Sequence, residues 1–85
     1  MPVLSRFLGI SIEMYYGDHA PPHFHARYGE FLMTVEIESG MATGSFPSRA
    51  LRLVLEWREL RQQELRRNWT EVQNHRPHQP IVGIE

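Results

Sequence analysis

Cysteine and lysine are both absent from this chain of 85 residues, and it contains no long apolar stretch. Without cysteine there can be no disulfide framework, thiolate metal site or cysteine nucleophile. No apolar run approaches the roughly 20 residues that span a bilayer, and residues 1–7 lack the charged start and apolar core of a signal peptide. We therefore expect a soluble protein of the cytoplasm that has no membrane partner.

The charge of the chain is nearly balanced. Nine basic residues, all arginine, face ten acidic residues, and the formal net charge is −1. Such a balance does not indicate a nucleic acid partner, although a local patch could still recognise RNA. The use of arginine alone has two interpretations: it reflects genomic base composition, or several arginines make bidentate contacts with carboxylate or phosphate.

The length allows one domain with one core. A hydrophobic content of 41% is ordinary for a folded domain, but a chain this short buries only about 60–65% of its unfolded surface. A binding partner or self-association would therefore add stability. We expect residues 1–76 to form the domain and residues 77–85 to form a C-terminal tail.

Alternating apolar and polar residues predict four strands, since a period of two places one side-chain face in the core. Turn signals follow the strands, such as Gly29 and Glu30, which are enough for a tight hairpin. The predicted strands span residues 8–16, 23–28, 31–38 and, more weakly, 41–46.

A helix follows the strands. Pro47 suits its start, and no glycine or proline interrupts residues 50–72. The apolar stripe predicts one long helix, or one broken near residues 61–64. The predicted fold class is therefore α+β, with an antiparallel four-stranded sheet (β-β-β-β) followed by one long or broken C-terminal helix packed on one face. The residues expected at that interface are Ile10, Ile12, Val35, Ile37, Leu53, Val54 and Trp57.

Beyond Leu60 the apolar stripe becomes thinner, and little of the domain remains to cover it. Exposed aromatic anchors are typical of interface centres. We therefore interpret Arg61, Leu65, Trp69 and Val72 as a partner-binding surface.

A histidine-rich turn is the most informative feature of the chain. Residues 18–25 read Asp-His-Ala-Pro-Pro-His-Phe-His. Strand geometry places His23, His25 and Arg27 on one face, with successive Cβ atoms about 7 Å apart. The two prolines stiffen the loop that carries His19. The opposite face of this strand is expected to be the core side, and it carries Phe24, Ala26 and Tyr28.

Two acidic positions can join these histidines. Asp18 is adjacent and can accept a hydrogen bond from an imidazole. On the neighbouring strand, Glu36 and Glu38 both occupy outward positions, and one or both can face the same side as His23 and His25.

The turn has three interpretations. In the first, His19, His23, His25 and Asp18 bind a divalent metal, a cofactor that the sequence permits without favouring. In the second, His19, His23, His25 and Arg27 are catalytic residues for acid–base chemistry on RNA or another phosphate ester. In the third, the histidines only hydrogen-bond the rigid turn or line a partner interface. Imidazoles that converge in an open cleft would favour an enzyme, and buried or diverging ones a scaffold.

Several segments carry a family resemblance. Together with the opening residues, Met14–Tyr16, Asp18–Ala26, Arg49–Val54 and Asn68–Trp69 resemble a small bacterial family known as domain of unknown function DUF4160, over about residues 1–72. Members of that family are short, stand alone and are commonly encoded beside another small protein, as toxin–antitoxin pairs are. The resemblance transfers no catalytic residue.

Two functional hypotheses follow. The chain is one component of a two-protein, toxin–antitoxin-like module and binds a small cognate protein encoded nearby, or forms a homo-oligomer. Alternatively, it is a small enzyme, an RNase-type toxin or a metal-dependent hydrolase, that uses His19, His23 and His25.

Overall fold

Five antiparallel strands form one sheet in which each strand lies beside the next strand in sequence. The computed structural model describes residues 3–84. Short connections produce this meander because they keep consecutive strands adjacent. Two helices follow the sheet, so the α+β class predicted from the sequence is confirmed. The elements are β1 Val3–Phe7, β2 Ile10–Glu13, β3 His23–Tyr28, β4 Phe31–Glu36, β5 Ala42–Ser45, α1 Ser48–Leu60 and α2 Gln62–Gln73.

The prediction of four strands was wrong, because the first predicted strand, 8–16, contains a turn. Leu8 and Gly9 have φ angles of +50° and +82°, and the residues on either side of them, Phe7 and Ile10, pair across β1 and β2. A two-residue hairpin with positive φ at both positions has a twist that suits its strands. The preceding residues therefore form an additional strand, β1.

The prediction of one helix was also too simple, since the helical region is divided at Arg61. This residue has φ −117° and ψ 22°, outside the helical range, and its N–H donates to the carbonyls of both Trp57 and Arg58. The break lies at the edge of the segment 61–64, where the sequence allowed one. No helix within residues 3–84 is both long enough and apolar enough to cross a membrane.

The helices cover the face of the sheet that carries Phe24. Trp57 of α1 is fully buried, and its ring lies 5.7 Å from that of Phe24 and 5.4 Å from that of Phe7. The predicted core side of β3 is correct for Phe24 and Ala26, but Tyr28, at the end of the strand, is 37% exposed. The core includes Ile10, Ile12, Met33 and Val35 from the sheet, Ile37 directly after β4, and Val54 from α1.

The predicted partner-binding surface needs correction. Leu65 and Val72 are fully buried in the core of this chain, so their side chains are not available to a partner of the folded monomer. Trp69 is partly buried and lies 5.3 Å from the ring of His23. Of this set, Arg61 is partly exposed and forms a 3.6 Å ion pair with Glu64.

The segment predicted as a tail packs on the domain. Asn68, which is buried, donates to the carbonyl of Gln79 and accepts from its N–H. The Ile81 N–H donates to the Leu4 carbonyl at the edge of β1, and the Trp57 indole donates to the Val82 carbonyl at 2.9 Å. Residue 85 of this segment lies outside the described residues.

We predict that Trp57→Ala removes much of the stability of the domain. The substitution leaves a large cavity between α1, β1 and β3 and abolishes the indole hydrogen bond, so the free energy of unfolding should fall by about 3–5 kcal/mol. Chemical denaturation followed by circular dichroism measures this. Leu60→Ala is the matched control, because Leu60 is 64% exposed, and it should change stability by less than about 0.5 kcal/mol. Equal losses for the two variants would contradict the described packing.

Candidate functional site

The turn between β2 and β3 brings Asp18 over the polar face of the sheet. The peptide bond between Ala20 and Pro21 is cis, and the Asp18 side chain accepts from the His19 N–H at 3.2 Å. This hydrogen bond helps to hold the Asp18 carboxylate above the start of β3. His23 and His25 leave the sheet on the same face, as their alternation with Phe24 predicted.

Two imidazoles converge on one carboxylate oxygen. The Nε2 atom of His23 lies 2.8 Å from Oδ2 of Asp18, and Nε2 of His25 lies 3.2 Å from the same oxygen. The ligating atoms of these three residues all lie within 4.8 Å of one another. This group is the Asp18 cluster.

Both ring nitrogens of His23 face hydrogen-bond acceptors. Its Nδ1 lies 2.9 Å from the carbonyl oxygen of Pro21, which can only accept, so Nδ1 carries a proton. In neutral imidazole Nε2 would then present a lone pair to the Asp18 carboxylate. Two such acceptors at 2.8 Å repel each other unless a proton or a metal ion lies between them.

The Asp18 carboxylate is suited to this environment. Its burial by itself raises its pKa, but the hydrogen bond from His25, the charge and hydrogen bond of His23, and the His19 N–H lower the pKa below its ordinary value of 3.8. The carboxylate therefore stays ionised and available as an acceptor or as a metal ligand.

A second polar network lies next to the cluster on β2 and β3. Glu13 is only 6% exposed, and it accepts from the hydroxyls of Tyr15 and Ser11 at 3.1 and 3.3 Å. Arg27 forms a 3.5 Å ion pair with it. The Tyr15 ring stacks on the imidazole of His25, with centroids 4.1 Å apart. Glu13 and Arg27 thereby fix the tyrosine that supports one side of the cluster.

These contacts shift two further pKa values. Burial raises the pKa of the Tyr15 phenol, and Glu13 raises it further while Arg27 opposes the shift. The pKa of Arg27 is raised chiefly by the charge of Glu13. Tyr15 is therefore a neutral hydrogen-bond donor at physiological pH.

The cluster opens into a groove of about 260 Å³. Thr34 and Glu36 of β4 form the opposite wall, because they pair in register with His25 and His23. The groove therefore offers both acidic and hydroxyl side chains to a bound molecule. Its full lining is Asp18, His19, Pro21, His23, His25, Thr34, Glu36, Met41 and Thr43.

The structure brings together some of the predicted site residues but not all. His19 lies at the groove, exposed, with its ring 5.6 Å from that of His23 and its Nδ1 3.0 Å from the Ala20 carbonyl. It is not one of the three converging ligands. Arg27 is bound to Glu13 instead of lining the groove. Of the two glutamates considered, Glu36 faces the groove, whereas Glu38 forms hydrogen bonds of 2.6 and 2.8 Å with Arg66.

Sequence reasoning missed the roles of Glu13, Thr34 and Thr43. For Glu13 and Thr34, the alternating pattern does predict a polar residue that points outward from its strand. Their proximity to the histidines depends on strand register, which pairs Glu13 with His25 and Thr34 with both His25 and Thr43. The two-residue turn at Gly29 and Glu30 fixes the register of β3 and β4 and hence the position of Thr34. No such short turn fixes the pairing of Glu13 with His25.

The comparisons with known proteins give a family and no characterised relative. The family described as Domain of unknown function (DUF4160) matches residues 9–70, well over half of the chain. No curated protein and no solved structure matches. The site must therefore be interpreted from its own geometry.

We predict that Asp18 gives the fold a distinct acid dependence. Because its folded pKa is lowered, the ionised carboxylate stabilises the fold fully above its unfolded pKa of about 4. That stabilisation is lost as the pH falls through the lowered folded pKa. The free energies of unfolding of wild type and Asp18→Asn should therefore differ at mildly acidic pH and converge in strong acid. Denaturant melts across this range measure the gap, and a constant gap would contradict the assignment.

Proposed function

We propose that this chain, which belongs to the DUF4160 family, is a small metal-dependent enzyme of the hydrolase class with the Asp18 cluster as its centre. One observation carries the proposal: two imidazole Nε2 atoms share a single carboxylate oxygen at the edge of an open groove. The sequence permits a divalent metal without favouring one, and this arrangement of ligand atoms favours it.

The distances suit a metal ion. Zinc binds imidazole nitrogen and carboxylate oxygen at about 2.0–2.2 Å, so neighbouring ligand atoms in a tetrahedral site lie about 3.3–3.6 Å apart. The atom pairs joining Asp18 to His23 and His25, at 2.8 and 3.2 Å, would expand toward this spacing, and the three ligand atoms already lie within 4.8 Å of one another. The Pro21 carbonyl holds Nδ1 of His23, as outer-shell partners of metal ligands do, and Nε2 is directed at the Asp18 carboxylate, where a metal ion would lie.

The number of ligands favours catalysis over a structural role. Structural zinc sites use four protein ligands, whereas catalytic sites use three and keep a position for water or substrate. Two histidines and one carboxylate also match the ligand set of open non-haem iron sites. A bound divalent ion at such a position polarises substrate oxygen and activates water.

His19 supplies a proton-transfer group beside this centre. It is exposed at the groove, and its Nε2 has no hydrogen-bond partner among residues 3–84. Acid–base chemistry by His23 itself, as in a metal-free RNase-type enzyme, is less favourable, because both of its ring nitrogens are held by Pro21 and Asp18. The groove thus combines a metal site with one free imidazole.

We predict that Zn²⁺, Mn²⁺ or Ni²⁺ stabilises the wild-type chain in a thermal melt. At a free metal concentration one hundred times the dissociation constant, binding contributes about 2.7 kcal/mol. His25→Ala and Asp18→Asn should abolish the shift and the calorimetric binding signal. His78→Ala is the matched control, since it removes an imidazole outside the cluster, and it should retain both. No shift with any of the three ions would refute the metal centre.

A binding role in a two-protein, toxin–antitoxin-like module is the second candidate, and it is compatible with the first. Exposed apolar side chains at the end of the sheet distant from the cluster favour it, since Leu8 and Tyr28 are 57% and 37% exposed. In this role the partner is a small cognate protein encoded nearby. The cytoplasmic location inferred from the sequence stays a prediction.

We predict that expression of this chain alone slows bacterial growth and that co-expression of the neighbouring gene product restores it. His25→Ala should remove the growth defect at unchanged protein abundance, because the proposed chemistry requires the cluster. Growth curves with abundance checked by immunoblot measure this. Growth that is the same with and without the chain would contradict a toxin-like role.

A further inference from the structure

The hairpin between β1 and β2 contains an unexpected residue at its tip. Leu8 has φ +50° and Gly9 has φ +82°, so both lie in the left-handed region, as in a type I′ turn. That conformation disfavours a residue with a Cβ atom, and Asn-Gly is the preferred pair for such a turn. Leucine at this position therefore works against local stability.

The glycine of this turn is required, whereas the leucine is not. A Cβ atom on Gly9 would lie 3.1 Å from Cε1 of Tyr28, so the tyrosine ring packs directly against the turn. Leu8, in contrast, is 57% exposed, and most of its side chain faces solvent. Neither core packing nor backbone geometry accounts for a large apolar side chain there.

Leu8 lies between hollows at this end of the sheet. One hollow of about 330 Å³ separates the hairpin from the start of α1, with Leu8, Tyr28, Arg49 and Leu53 in its lining. A second hollow, which also includes Leu8, contains Arg6, the residue that pairs with Ser11. We define the Leu8 surface as Leu8, Tyr28 and Leu53 with the flanking Arg6 and Arg49.

The charge of the Leu8 surface selects its occupant. Arg6 and Arg49 are exposed, and neither forms an ion pair with a carboxylate of residues 3–84. Within residues 3–84, the turns at this end of the sheet contain a single acidic residue, Glu30, in the hairpin between β3 and β4. Self-association about a two-fold axis would bring two copies of this positively charged surface together, which like-charge repulsion disfavours.

We propose that the Leu8 surface docks an acidic, apolar segment of another protein. An apolar side chain of that segment would enter the hollow beside Leu8, and carboxylates would pair with Arg6 and Arg49. The inference rests on the binding role proposed above and names its surface. It does not depend on the metal centre, which lies at the other end of the strands.

The proposal predicts opposite effects of one substitution on stability and on binding. Leu8→Asn places the preferred residue in the turn, so the melting temperature should rise by a few degrees. The same variant loses the apolar anchor, so binding should weaken on the order of tenfold or more. Arg49→Glu should weaken binding similarly while leaving the melting temperature nearly unchanged.

A random peptide display library selected on the wild-type chain supplies the probe. Enriched peptides should combine leucine or phenylalanine with aspartate or glutamate, and the synthesised peptides should lose affinity for Leu8→Asn and Arg49→Glu in calorimetry. Leu60→Asn is the matched control, because Leu60 is the exposed leucine of α1, and it should bind normally.

The other outcomes overturn the proposal. No enrichment, basic peptides, or peptides that bind Leu8→Asn as well as wild type would each exclude the surface. Light scattering that shows a dimer dissociated by Leu8→Asn would identify a second copy as the occupant. A cognate partner that restores growth yet binds Leu8→Asn normally would preserve the binding role while rejecting this surface.

Discussion

Packing of Trp57 against Phe24 is the interaction on which the other parts of the molecule depend. The indole is fully buried, reaches Phe7 of β1 as well, and donates to Val82 in the C-terminal segment. It thus connects the first strand, the central strand, α1 and the end of the chain. Because Phe24 lies between two histidines in sequence, its burial forces His23 and His25 to the opposite face. The hydrophobic core therefore determines the direction of the site residues.

The candidate site forms because the Asp18 carboxylate lies above the imidazoles of His23 and His25. Asp18 is held by a local bond to the His19 N–H, and His23 is held by the Pro21 carbonyl and by the ring of Trp69. His23 is only 8% exposed, and unpaired polar groups at such depth are costly. A proton between Nε2 of His23 and Oδ2 of Asp18, or the proposed metal ion, would satisfy this pair of atoms.

Local sequence patterns predicted the parts of the structure that depend on alternation alone. The shared face of His23, His25 and Arg27 and the adjacency of Asp18 follow from a period of two and from chain proximity. The ion pair of Arg27 with Glu13 does not, because it depends on the register between β2 and β3. The β1–β2 turn was missed since its first residue is leucine. The burial of Leu65 and Val72 was missed since it requires α2 to fold back on the core after the break at Arg61.

Each end of the sheet contains a feature that lowers the stability of the fold locally. The packing of the core offsets this loss of free energy. A left-handed leucine costs roughly 1–2 kcal/mol, and the ordered, partly buried cluster of Asp18 with two imidazoles adds a desolvation cost. A domain of this length has a total stability of only about 4–13 kcal/mol, so such costs are a substantial share of it. Local choices that oppose stability tend to lie at functional sites. One arrangement offsets both costs: the face covered by the helices supplies the stability, which leaves the polar face available for the Asp18 cluster and the hairpin tip available for an exposed Leu8.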